Sequence, residues 1–123
     1  MSKEKIELEY VINCSPKVLF NRLSTASGLC EWFADDVSVN GKKFMFSWNK
    51  TESFAQLTSQ KENVFVHFDW IDDEGYFEFK ISRDELTGDV SLLVVDFTEK
   101  EDIEETKDLW DSQILKLKQT LGS

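Results

Sequence analysis

Residues 101–121 read EDIEETKDLWDSQILKLKQTL. Ile103, Trp110, Ile114, Leu117 and Leu121 fall on one stripe at helical spacing, with Leu109 and Leu115 on its flanks, while Glu104, Glu105, Asp108, Asp111 and Lys118 fall elsewhere. This is the pattern of an amphipathic helix of about five to six turns. Its charges suit its direction: Glu101, Asp102, Glu104 and Glu105 crowd the positive N-terminal end, and Lys116 and Lys118 lie near the negative C-terminal end. Gly122 supplies the stop. One face of such a helix must be buried, and because everything ahead of it reads as short strands and turns, the expected partner is a sheet.

The strand ahead of this helix, Val90 to Phe97, is apolar on both faces, with Leu93, Val95 and Phe97 on one and Val90, Leu92 and Val94 on the other. It is either central or covered twice. Thr98 and Glu101 have capping-box spacing, Asp102 and Glu105 offer a second start, and the boundary is expected between Glu99 and Ile103. Further back, Phe77, Phe79 and Ile81 alternate with Tyr76, Glu78 and Lys80, behind the turn Asp72-Asp73-Glu74-Gly75. Val64, Val66, Phe68 and Trp70 alternate with Phe65, His67 and Asp69, and Lys61-Glu62-Asn63 turns the chain into them. Glu52 to Gln60 is a weaker strand with Ala55 and Leu57 on one face. Asn40-Gly41 is the strongest hairpin signal, joining Val37 and Val39 to Phe44, Phe46 and Trp48.

At the start, Ile6, Leu8, Tyr10 and Ile12 form the apolar face of a first strand. Ser15-Pro16 then caps a short helix to about Ser24, with Val18, Leu19, Phe20 and Leu23 as its stripe. Ser27 is expected to cap a second short helix carrying Leu29, Trp32 and Phe33.

The whole is expected to be one domain over residues 1–123. Twenty-four acidic against fourteen basic residues give a net charge of −10, which disfavours phosphate backbones and anionic lipid, so neither nucleic acid nor membrane insertion is expected. The first ten residues, MSKEKIELEY, hold no apolar leader, so a cytoplasmic location with Cys14 and Cys30 reduced is the expectation.

Chemistry is sparse. His67 is the only histidine, so a His-based metal site or nucleophile and base pair lacks a second member, and it reads as a solvated residue on the outer face of its strand. Cys14 and Cys30 read as small packing residues. The carboxylates sit at turns and helix starts, with one exception: Asp96 follows Val90, Leu92 and Val94 on the same face. It is either a ligand anchor facing a cavity or wet at the strand's end, and the second is the preferred reading. No cofactor and no catalytic constellation are expected.

Trp32, Phe33, Phe44, Phe46, Trp48, Phe68, Trp70, Phe77, Phe79 and Trp110 converge on the space between sheet and terminal helix. They either fill it as core, or leave an apolar pocket under a sheet too curved to be filled.

The order of elements, with Ser15-Pro16, Leu19-Phe20, Leu23, Gly28-Leu29, Trp32-Phe33-Ala34-Asp35-Asp36, Phe68-Asp69-Trp70 and Trp110, resembles the START-like, or SRPBCC, superfamily, and within it the branch of the activator of Hsp90 ATPase. The resemblance implies an α+β helix-grip fold: a curved antiparallel sheet of six or seven strands wrapped around a long C-terminal helix, with two short helices after strand one. It also implies a cavity, for which the candidate lining is Trp32, Phe33, Phe46, Trp48, Leu57, Phe68, Trp70, Phe79, Trp110 and Ile114. The function implied is non-catalytic binding of an apolar small molecule, lipid or aromatic. The alternative is a protein-interaction module like the Hsp90 activators, or a homodimer that buries one face of the last strand. A cyclase-type activity, known among relatives, is the weaker third idea.

Overall fold

The computed structural model describes residues 3–122. In chain order these form β1 (Glu4–Ile12), α1 (Pro16–Ser24), α2 (Ala26–Cys30), β2 (Asp36–Asn40), β3 (Lys43–Trp48), β4 (Thr51–Lys61), β5 (Phe65–Trp70), β6 (Tyr76–Arg83), β7 (Val90–Thr98), a 3-10 turn (Lys100–Asp102) and α3 (Ile103–Leu121). The seven strands make one antiparallel sheet in the order β1-β7-β6-β5-β4-β3-β2. The sheet is curved and the helices lie on its concave face, which is the expected α+β helix-grip arrangement.

The local chemistry explains most elements. Ser15 Oγ accepts from the Val18 amide at 3.2 Å and Pro16 occupies the first turn of α1. The second cap is Thr25, not Ser27: its Oγ1 accepts from the Gly28 amide at 3.0 Å and donates to the Asn21 carbonyl at 2.8 Å. One hydroxyl thereby ends α1 and starts α2, and α2 stops at Cys30, which leaves Trp32 and Phe33 in the turn beyond it. Gly28 allows the two helices to come this close, since a Cβ there would stand 2.5 Å from the Asn21 oxygen and 2.7 Å from the Arg22 Cα.

The hairpin signalled by Asn40-Gly41 forms, with its turn one residue further on, and a second tight turn follows β3. Asn40 pairs with Lys43, so the turn residues are Gly41 and Lys42, and Gly41 takes the left-handed φ of +64°. Asn49 and Lys50, between β3 and β4, both have positive φ, 52° and 71°, in a tight turn that carries no glycine signal. Asp35 anchors that turn: its Oδ2 accepts from the Asn49 amide at 2.7 Å and its own amide donates to the Ser47 carbonyl at 2.9 Å. In β4 the register shifts between Leu57 and Ser59, a bulge at Thr58.

Strand β7 is flanked on both edges, by β1 and β6. Val90, Leu92 and Val94 are buried on the concave side, and on the other side Val95, in register with Glu7 and Glu78, is only 2 % exposed. The terminal helix begins inside the expected window, but without a capping box. Thr98 is buried and its Oγ1 lies 2.8 Å from Thr106 Oγ1, and Asp102 makes no side-chain capping bond. Gly122, with φ of 72°, ends α3 in a left-handed cap. Trp110, Ile114 and Leu117 are buried on the stripe, whereas the flanking Leu109 and Leu115 are exposed.

Candidate functional site: an aromatic pocket under the terminal helix

Phe33 stands at the centre of the concave side. Its ring is stacked on Trp110 (5.7 Å between centroids) and on Phe77 (5.3 Å), and meets Trp48 edge to face at 5.2 Å. Its carbonyl is equally committed, accepting from Trp48 Nε1 at 2.6 Å and from Gln113 Nε2 at 2.9 Å. Those two bonds use both lone pairs of one oxygen and tie the turn after α2 to β3 and to α3. Trp70 packs on Phe77 at 4.8 Å.

Between these rings and α3 lies a pocket of about 320 Å³. Phe33, Trp48, Trp70, Phe77 and Trp110 supply its aromatic walls, Leu109 joins them from α3, and Asp96, Thr106 and Gln113 are its polar members. Leu109 is 58 % exposed, which marks the open side.

Asp96 is the one acid among these groups. Its Oδ2 accepts from Trp110 Nε1 at 2.9 Å and its Oδ1 from the Phe97 amide at 2.8 Å. Burial pushes its pKa above the usual carboxylate range, against the opposing pull of those two donors and of Lys3. The reading of Asp96 as a wet strand end is therefore corrected: on the sheet's concave side, β7 carries it under α3 rather than out into solvent.

Of the ten lining residues expected from sequence, the structure brings Phe33, Trp48, Trp70 and Trp110 together around the pocket. The other six do not line it. Trp32, Phe46, Phe68, Phe79 and Ile114 are buried in filled core, and Leu57 is half-buried against that core beside the β4 bulge. Trp32 is held there by an indole bond to the Arg22 carbonyl at 2.9 Å and by packing against Phe79. Phe77, Asp96, Thr106, Leu109 and Gln113 were not among the ten. Phe77 shares the alternation of Phe79, and Thr106 and Gln113 lie on the helical stripe at the three- and four-residue steps between Ile103, Trp110 and Leu117, so spacing places them on the inner side although their polarity hides them.

Elsewhere the chemistry is structural. His67 is on the outer face as expected but is not simply solvated: Nδ1 lies 3.0 Å from Glu78 Oε2, Nε2 lies 3.2 Å from Asp69 Oδ1, and the ring packs at a tilt against Tyr76, 4.5 Å between centroids. Cys14 and Cys30 are free thiols, and burial raises the pKa of Cys14. Among the described residues no group of three or more His, Cys, Asp or Glu is placed to hold a metal ion, and no helix is long and apolar enough to cross a membrane. A larger depression, about 550 Å³, lies on the outer face of the sheet between Glu9, Phe65, Lys80 and Leu93. Val64, Phe65, Ile81 and Leu93 line it together with Glu9, Glu78 and Lys80, without the convergent rings of the inner pocket.

Several solved structures share this fold. A solution NMR structure of a Bacteroides fragilis protein is 42 % identical, with a TM-score of 0.68 over 98 % of this chain and 93 % of that one. The solution structure of the Aha1 dimer from Colwellia psychrerythraea is 18 % identical, with a TM-score of 0.78 over 94 % of this chain and 93 % of that one. DynU16, a putative protein in the dynemicin biosynthetic locus, is 9 % identical, with a TM-score of 0.79 over 97 % of this chain and 47 % of that one. The last two are likenesses of fold alone. No curated protein matches the sequence. A family model for the START-like superfamily domain matches residues 1–123, and the chain belongs to that superfamily.

Proposed function

We propose that this protein binds a compact apolar small molecule, aromatic rather than long-chain, in the pocket between the sheet and α3, without catalysing a reaction on it. The observation that carries the reading is the convergence of five aromatic rings on one open pocket in a domain otherwise packed solid with rings. START-like domains commonly bind hydrophobic ligands. A volume of about 320 Å³ is near the lower end of small-molecule sites, which suits a ring system better than an extended acyl chain. Among the described residues that line the pocket, Asp96 is the one acid or base, so the lining suits holding a molecule better than moving protons.

The test is a denaturant melt with a panel of planar aromatics and of fatty acids. A binder at a hundred times its Kd raises the unfolding free energy by about 2.7 kcal/mol. Planar aromatics should shift the midpoint and the indole resonances of Trp48, Trp70 and Trp110. Absence of any shift with either class, up to the solubility limit, removes this reading.

A second reading, a protein-interaction module or homodimer, draws on the outer-face depression, where Val64 and Phe65 of one hairpin meet Ile81 and Leu93 across the sheet. A dimer is also the form of the Colwellia psychrerythraea structure. Sedimentation of the purified protein tests it, since a monomer at every concentration would exclude the homodimer.

A further inference from the structure

The pocket holds a carboxylate that ordinary packing does not explain. Asp96 is half-buried and lines the pocket with Trp110, Phe77 and Phe33, where loss of water disfavours its ionised form. It receives two hydrogen bonds, both from neutral donors, the Trp110 indole and the Phe97 amide. Among the described residues no cationic side chain forms an ion pair with it; Lys3, whose positive charge acts on it, has its Nζ 3.0 Å from Asp73 instead. A buried charge is ordinarily matched by a counter-charge, and here the open space of the pocket is where one could stand.

The walls suit the same occupant. The faces of tryptophan, and less strongly of phenylalanine, attract cations, and several rings around one space make a cage for alkylated ammonium groups. Trp48, Trp70 and Trp110 all border this space. Gln113, whose amide nitrogen donates to the Phe33 carbonyl, borders the same space from α3. The net charge of −10 raises the local concentration of cations around the whole molecule. An anionic ligand such as a fatty acid would bring its carboxylate against Asp96, and a purely apolar one would leave Asp96 further desolvated and still unpaired.

We infer that the ligand is a hydrophobic organic cation, an aryl or short alkyl amine or quaternary ammonium, seated against the tryptophan walls with Asp96 as its counter-charge. This rests on the small-molecule reading above and names the chemical class that reading leaves open.

The test uses two probes of one shape, benzyltrimethylammonium and its neutral carbon isostere neopentylbenzene, titrated by tryptophan fluorescence and amide NMR at matched ionic strength. The wild type should bind the cation at least tenfold more tightly. Asp96→Asn should remove that preference while leaving the affinity for neopentylbenzene within about twofold. Glu85→Gln, an exposed carboxylate in the loop before β7, should leave the preference unchanged. Equal affinity of the two probes in the wild type overturns the cation inference and leaves apolar binding standing. A preference that Glu85→Gln erodes as much as Asp96→Asn does also overturns it, because the charge effect is then general. Binding of neither probe, with no shift from the planar aromatics, removes both readings together. The wild-type comparison stands alone if Asp96→Asn does not fold.

Discussion

Trp110 and Asp96 hold one another across the sheet and helix layers: the indole Nε1 of α3 donates to the carboxylate Oδ2 of β7 at 2.9 Å. The bond pins the largest residue of the helical stripe to the sheet and gives the buried acid one of its two donors. Trp110 is also enclosed by Trp32, Phe33 and Phe79 and is only 4 % exposed. It borders the pocket but is energetically a core residue. Trp110→Ala should therefore cost about 3 to 5 kcal/mol. Trp110→Phe keeps much of the packing but strands Asp96, and should cost about 1 to 3 kcal/mol from the lost hydrogen bond alone. Urea melts of the three proteins check both values, and a loss below 1 kcal/mol for the alanine variant would show that α3 is not anchored through this residue.

Asp96 makes a pH prediction. Burial raises its folded-state pKa, so between about pH 4, where the unfolded chain releases the proton, and that higher pKa, the folded protein still holds it. The folded state then binds more protons than the unfolded state, and the contribution of Asp96 to stability falls as pH rises through this window and is level above it. The stability of wild type minus that of Asp96→Asn should decline accordingly. Chemical melts at several pH values above 4 measure it, and a difference that grows with pH would reverse the assignment of a desolvated acid.

Tyr10 ties the edge strand to the helix, its hydroxyl donating to Asp111 Oδ1 at 2.8 Å. Burial first, then the bond to Asp111 and its charge, raise the phenol pKa above its ordinary value near 10. Ionisation of Tyr10 is thus delayed in the folded state, and the stability it contributes is present below about pH 10 and lost as pH rises beyond. Tyr10→Phe should cost about 0.5 to 1.5 kcal/mol at neutral pH. Ultraviolet titration should show one tyrosine ionising late in the wild type and that step missing in the variant.

The meeting of α1 and α2 depends on Gly28 and Thr25. A Cβ on Gly28 meets backbone on two sides, and backbone cannot swing away as a flexible side chain can. Gly28→Ala should cost about 1 to 3 kcal/mol or more by overpacking. Thr25→Val keeps the shape and removes the cap, and should cost about 1 kcal/mol. Because Trp32 and Phe33 follow α2 directly, the glycine variant should also broaden the Trp32 and Trp48 indole resonances. Unchanged spectra with unchanged stability would mean that the helices part without consequence.

What the sequence determined by itself is the set of elements and the face each one buries. The period of 3.6 in Glu101–Leu121, the period of two in Val64–Trp70 and Tyr76–Ile81, and the Ser15-Pro16 start are local signals, carried by side chains a few residues apart. Alternation, however, assigns a face and not a depth. Phe46 and Trp48 share one face of β3, yet Phe46 is buried against Phe68 and Phe77 while Trp48 reaches the pocket. Phe79 and Phe77 divide in the same way along β6, one in filled core and the other on the pocket wall. Only the tertiary structure decided these pairs, because the answer depends on where the turn after α2 and the span of α3 lie over a curved sheet. The same holds for Asp96: its position in β7 is legible in the chain, but its burial comes from a helix that begins five residues beyond β7 and sets Trp110 on it.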